Sequence, residues 1–152
     1  EADELTYSLH IIIRYELEKE LINGQISVDE VKDQWNKKYK EYLGVVPGDD
    51  SEGILQDMHW SDGSFGYFPS YALGNLYGAQ FLHKMEQDIP DLYEKIENGS
   101  LLIIKEWLNK NIHRYGSLYK PEELVKLVTG EELTSKYFID YLYNKYSKIY
   151  NF

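Results

Sequence analysis

The chain has 152 residues, 43% of them hydrophobic, so it can build a real core and does not read as a disordered tail. A net charge of −10 without any Lys/Arg stripe argues against nucleic acid and against an anionic membrane surface as partners. The absence of Cys excludes disulfides and thiolate metal sites and fits a reducing compartment. The longest apolar stretches, Ile11–Ile13 and Leu101–Ile104, are far too short to span a bilayer.

In chain order, a first helix is expected from about Glu4 to Ile22, where Leu5, Leu9, Ile13, Leu17 and Leu21 share a stripe. Asn23-Gly24 ends it. Ser27-Val28-Asp29-Glu30 reads as a capping box opening a second helix, which carries Trp35, Tyr39 and Leu43 and stops near Gly44. From Val45 to Pro69 the pattern changes. Pro47, Gly48, Gly53, Gly63, Gly66 and Pro69 break it into about 25 residues of loop, with room for short extended pieces. Trp60, Phe65, Tyr67 and Phe68 give this loop too many aromatics for a linker, and a loop this long in a compact domain is usually functional.

Helix resumes near Pro69 and runs through Tyr71, Leu76, Tyr77, Gln80, Phe81 and Met85. Gly74 and Gly78 make a small face on it that a backbone could approach. Asp91–Glu97 reads as a short helix stopped by Asn98-Gly99. Ser100 is expected to cap Leu101–Arg114. Pro121–Val128 and Glu131 to about Tyr150 complete the set. The expected fold is mainly α, a single helical domain over 1–152. The chain starts at Glu1 without Met and runs straight into a helical pattern, so a piece of a longer protein is expected.

Some chemistry is missing. None of His10, His59, His83 and His113 begins an HExxH, and there is no phosphate loop or GxSxG elbow. His83 and Glu86 have i, i+3 spacing, but one pair does not fill a zinc site and a solvated helix face explains it. The positive signal is 53–71, where Gln56, Asp57, His59, Tyr67 and Tyr71 stand among glycines. Imidazole and phenol donors can hold a carbonyl or an oxyanion. The plain alternative is a buried loop whose polar groups satisfy its own backbone.

Gly53-Ile54-Leu55-Gln56-Asp57-Met58-His59-Trp60 resembles the GxxQDxHW motif of the carboxypeptidase Taq family. Ala2-Asp3 resembles the end of that family's IRxxAD motif, and segments 3–18, 66–80, 106–116 and 135–146 are similar to its C-terminal third. The resemblance implies the C-terminal helical part of a metallopeptidase fold similar to neurolysin and angiotensin-converting enzyme, with a long functional loop. It implies a zinc metallocarboxypeptidase that removes C-terminal residues from peptides, usually a cytoplasmic homodimer. The family's HExxH, its third ligand Glu and its HPF and DxRxT motifs precede the part this chain resembles. The chain alone is therefore expected to hold no metal and to be inactive.

In the related thimet oligopeptidases a His is followed nine and twelve residues later by two Tyr that stabilise the tetrahedral intermediate. Here Tyr67 and Tyr71 follow His59 by eight and twelve. His59 is thus the expected donor to the substrate backbone, and Tyr67 or Tyr71 the oxyanion donor, worth about 3 kcal/mol in that role. Gln56 and Asp57, grouped with the substrate-binding residues, are expected to brace His59 and the loop, and Trp60 to wall the groove. Arg14 is a candidate cation for the substrate's terminal carboxylate, although the Arg of IRxxAD could serve instead.

Glu16, read as buried within the first stripe, needs a partner among Arg14, Arg114 and His113, with a structural ion pair the expected role. His10 and His113 read as core-edge histidines. The Tyr/Lys stripe Tyr137–Tyr150 reads as a packing face, with a dimer contact as the sharper option. A non-catalytic helical interaction module is the alternative to the enzyme reading, motivated by 15 Tyr and the acidic charge.

Overall fold

The structure, a computed structural model, describes residues 2–152. All regular elements among them are helical: α1 (Tyr7–Ile22), α2 (Val31–Leu43), α3 (His59–Asp62), α4 (Pro69–Asp88), α5 (Leu92–Glu97), α6 (Leu102–Asn111), α7 (Pro121–Thr129) and α8 (Lys136–Tyr150). Among the described residues no helix is long and apolar enough to cross a membrane. The chain divides into two compact units, one ending at Leu73 and one spanning Gly74–Phe152, with the boundary inside α4.

In the first unit α1 and α2 pack through Ile13 and Leu17 against Trp35 and Tyr39, with Ile26, Tyr42, Leu43, Ile54 and Trp60 around them. Trp35 stacks on Tyr39 with ring centroids 4.9 Å apart. The Ser27/Glu30 capping box forms, on a 3-10 turn (Val28–Glu30) that leads into α2. Gly44 closes α2 at φ 72°, a left-handed position that favours glycine.

The loop after α2 departs from the extended pieces expected of it. Its ordered parts are helical, a 3-10 turn at Ile54–Gln56 and the single turn of α3. Gly53 opens the first of these in a tight space: an added Cβ would lie 3.2 Å from Pro47 Cβ and 3.2 Å from the Asp49 carbonyl oxygen.

The second unit has its own core of Met85, Leu92 and Trp107. The buried Gln80 amide ties α4 to the α7–α8 connection. Its Nε2 donates to Thr129 Oγ1 and the Glu132 carbonyl, both at 3.1 Å, and its Oε1 accepts from the Thr134 N–H at 3.1 Å.

Several boundaries differ from the sequence reading. The first helix begins at Tyr7, because Asp3 Oδ1 accepts from the Thr6 N–H and hydroxyl and holds the preceding residues in a turn. Ser100 makes no cap: Leu101 flanks α6, which ends at Asn111, and a separate 3-10 turn follows at His113–Tyr115. The last helix starts at Lys136, since 131–134 are occupied by the Gln80 contacts. Nothing lies within 4 Å of a Cβ added at Gly74 or Gly78, so the small face is open.

Candidate active site

The chemistry-bearing residues of 53–71 gather on one side of the first unit. Asp57 sits just before α3 with its side chain 2% exposed, and each of its oxygens is engaged. Oδ2 accepts from Arg14 Nε at 2.7 Å, and Oδ1 accepts from the His59 backbone N–H at 2.9 Å. A carboxylate capping the first residue of α3 fixes where the His59 Cα stands.

The imidazole leans against the buried Phe68, with ring centroids 4.8 Å apart. Its Nε2 lies 2.9 Å from the Tyr71 hydroxyl. Its Nδ1 is buried without a hydrogen-bond partner, 3.4 Å from Asp57 Oδ1. That separation is too long for a good hydrogen bond.

Tyr67 lies nearly parallel to His59 at 6.2 Å and edge-on to Tyr71 at 5.3 Å. Desolvation, reinforced by the neighbouring Tyr67 and Tyr7 phenols and the Asp57 and Asp62 carboxylates, pushes the Tyr71 phenol above its ordinary value. Tyr71 therefore stays protonated near neutrality and keeps a proton to donate.

His59, Tyr71, Asp57, Gln56 and Arg14 line an open cavity of about 820 Å³, together with Tyr7, His10, Tyr39 and the Val45–Gly48 bend. Tyr67, 52% exposed, stands beside the His59–Tyr71 pair without lining the cavity. Gln56 is exposed and its amide donates to the Ser51 carbonyl, bracing the turn.

Trp60 and Arg14, both expected at the substrate, are engaged within the protein. Trp60 points into the α1–α2 core, edge-on to Trp35 and Phe68, and lines a separate apolar pocket near Leu21 and Val31. Arg14 Nε is taken by Asp57, its Nη1 donates to the His10 carbonyl at 3.0 Å and the Tyr39 hydroxyl at 3.1 Å, and its guanidinium lies over Trp35. A guanidinium so committed orients Asp57 and has little left for a bidentate hold on a free carboxylate.

Glu16 is corrected too. It is half-buried, and its partners are Lys38 at 2.9 Å and the Tyr42 hydroxyl at 3.0 Å. The buried carboxylate of α1 is Glu18, whose Oε2 accepts from Trp60 Nε1 at 3.0 Å and whose Oε1 accepts from the Gly66 N–H at 2.7 Å. Sequence reasoning passed over Glu18, Tyr7 and Tyr39 as site residues. Glu18 follows the stripe residue Leu17 and lies four positions after Arg14, the one signal that could have marked it.

Among the described residues no group of three His, Cys, Asp or Glu side chains is arranged to hold a metal ion. His83 bonds to Gln87 and Glu86 accepts from Tyr93, so the i, i+3 pair is spent on its own surroundings.

Residues 1–146 match the sequence profile of the family described as Carboxypeptidase Taq (M32) metallopeptidase. The chain belongs to that family. It is 53% identical over 150 residues to Carboxypeptidase 1 of Bacillus subtilis (strain 168), covering 99% of this chain and 30% of the relative. It is 44% identical to Thermostable carboxypeptidase 1 of Thermus thermophilus, covering 99% of this chain and 29% of that protein. The crystal structure of the M32 carboxypeptidase from Deinococcus radiodurans R1 superposes with a TM-score of 0.96 at 37% identity, covering all of this chain and 31% of the other. The chain thus spans about 30% of the length of the family members it matches.

Proposed function

We propose that the chain is the substrate-wall part of a longer metallocarboxypeptidase, in which His59 and Tyr71 hold the carbonyl of the peptide bond being cut. One observation carries this reading: His59 Nε2 and the Tyr71 hydroxyl lie 2.9 Å apart on the wall of an open cavity, within the segment that bears the family motif. The two groups bond to each other at 2.9 Å, and a carbonyl that displaces this bond would meet an imidazole and a phenol side by side, a pair suited to a developing oxyanion because such donors gain strength as negative charge builds on the oxygen.

Among the described residues no three potential ligands are gathered, and the chemistry proposed for them is binding and orientation. Asp57, fixed by Arg14, presents His59; Phe68 backs the ring; Tyr71, kept protonated, supplies a hydrogen. Tyr67, further out on the same side, is placed to cover the bound peptide. Gln56 faces the cavity as a second polar contact for the substrate backbone. Within the same reading the metal is zinc, held by residues outside this chain, and the longer protein is a cytoplasmic homodimer. The family resemblance supports these points. The alternative of a non-catalytic interaction module has in its favour only exposed side chains such as Tyr143 and Tyr150 on α8.

The test is turnover of a C-terminally exposed peptide by the longer enzyme. His59→Ala and Tyr71→Phe are each expected to lower kcat by about 10²–10³ with metal content retained. Tyr67→Phe is expected to cost less. Loss of metal in the first two variants, or turnover equal to the parent's, would count against the assignment.

A further inference from the structure

Glu18 holds the loop that carries His59 at two points. Its carboxylate is 5% exposed, and neither of its two partners is a cation. Burying a carboxylate against neutral donors is costly, and a neutral or apolar side chain could fill the same space. What the charge provides is two strong, directed hydrogen bonds to groups six residues apart, the Trp60 indole and the Gly66 N–H.

Those two points enclose the rest of α3 and the left-handed turn at Gly66 (φ 78°). His59 immediately precedes the first point and Tyr67 immediately follows the second. Arg14, one helical turn earlier on α1, grips the same segment at Asp57. The His59–Tyr71 separation is thus governed from α1 by three grips, and two of them come from Glu18.

We propose that Glu18 is a positioning residue that sets His59 and the following tyrosines in register, an inference that rests on the reading of His59 and Tyr71 as carbonyl donors. Glu18→Gln keeps the shape but can accept at only one oxygen, so either the indole or the Gly66 N–H is left facing an amide N–H. The segment is released on one side while α1 and its core face stay in place.

The experiment compares the longer, metal-loaded enzyme with its Glu18→Gln, Trp60→Phe and His59→Ala variants, reading kcat, KM, thermal midpoint and the Trp60 indole N–H resonance. Glu18→Gln is expected to lower kcat per folded molecule about tenfold or more, with KM and metal content kept and the indole resonance moved, because small misplacements of transition-state groups are expensive. Trp60→Phe removes one of the two bonds and is expected to give a smaller fall in kcat. Parental kcat in Glu18→Gln, beside a large loss in His59→Ala, would overturn the positioning role and leave the site reading intact. Parental kcat in His59→Ala would instead sink the site reading and the inference with it. Should Glu18→Gln fail to fold, Trp60→Phe decides: a lower kcat at an unchanged midpoint supports the role, and an unchanged kcat overturns it.

Discussion

Asp57 accepts from a cation on one oxygen and from a backbone N–H on the other, with the orphaned Nδ1 of His59 close by. Nε2 and the Tyr71 hydroxyl share a hydrogen bond at the cavity wall. On the proposed reading a carbonyl entering the cavity would displace it, which makes the pair a device for trading one partner for another. Replacing Asp57 by Asn leaves the part-buried Arg14 without its counter-charge, and a loss of about 3 kcal/mol is expected in urea denaturation. A loss within error of zero would mean the pair is not coupled. The motif residues were legible because their letters are specific. The choice between Glu16 and Glu18 was not, because neighbours two positions apart on a helix differ in direction by about 200°, and which of them the loop would cover depends on a chain segment more than 40 positions away.

Helix identities were readable from periodicity and punctuation: the Ser27/Glu30 box, Gly44, Pro121 with Glu123, and Gly130 stand where local rules put them. The starts of α1 and α8 were not, since side chains set them, Asp3 against Thr6 in one case and Gln80 against 129–134 in the other. Gln80 gives a direct test. Gln80→Leu fills the space but strands the Thr134 N–H and the Glu132 carbonyl, and about 1–3 kcal/mol of stability is expected to be lost in chemical denaturation. A second test uses α4 and α6. The Lys84 hydrogen bond, helped by the Trp107 indole, holds the Asp88 carboxyl below its usual range. A carboxylate whose value is lowered by folding adds stability that is full above the unfolded value and is lost as pH falls through the folded one. Stability measured by Trp107 emission is therefore expected to decline below about pH 4, and Asp88→Asn to flatten that decline.

At the scale of the molecule, the family could be read from one eight-residue motif, whereas the division at Leu73 and Gly74 left no mark in composition, because it falls inside an uninterrupted helix. The buried clusters around Trp35 and around Trp107 share no residue. Urea unfolding of Trp107→Phe, which reports from Trp35 and Trp60, is therefore expected to give a different midpoint from that of a variant keeping only Trp107. Coincident midpoints would mean the two clusters melt as one. Exposed apolar side chains are also plentiful, among them Ile22, Val28, Leu55, Met58, Leu118 and Phe152. A surface of that kind in a chain spanning about 30% of its relatives is expected to bind a hydrophobic dye and to self-associate at rising concentration. A dye-silent monomer by light scattering would contradict this.

Gly53 has a consequence for the width of the cavity. Pro47, which a methyl group at 53 would press against, belongs to the same Val45–Gly48 bend that lines the cavity. Alanine at 53 would act as a wedge: either the bend gives by a few tenths of an ångström, or the turn at Ile54–Gln56 tips by as much toward Asp57 and His59. The gauge of the cavity is therefore kept by a hydrogen atom, at a position that is not itself part of the lining.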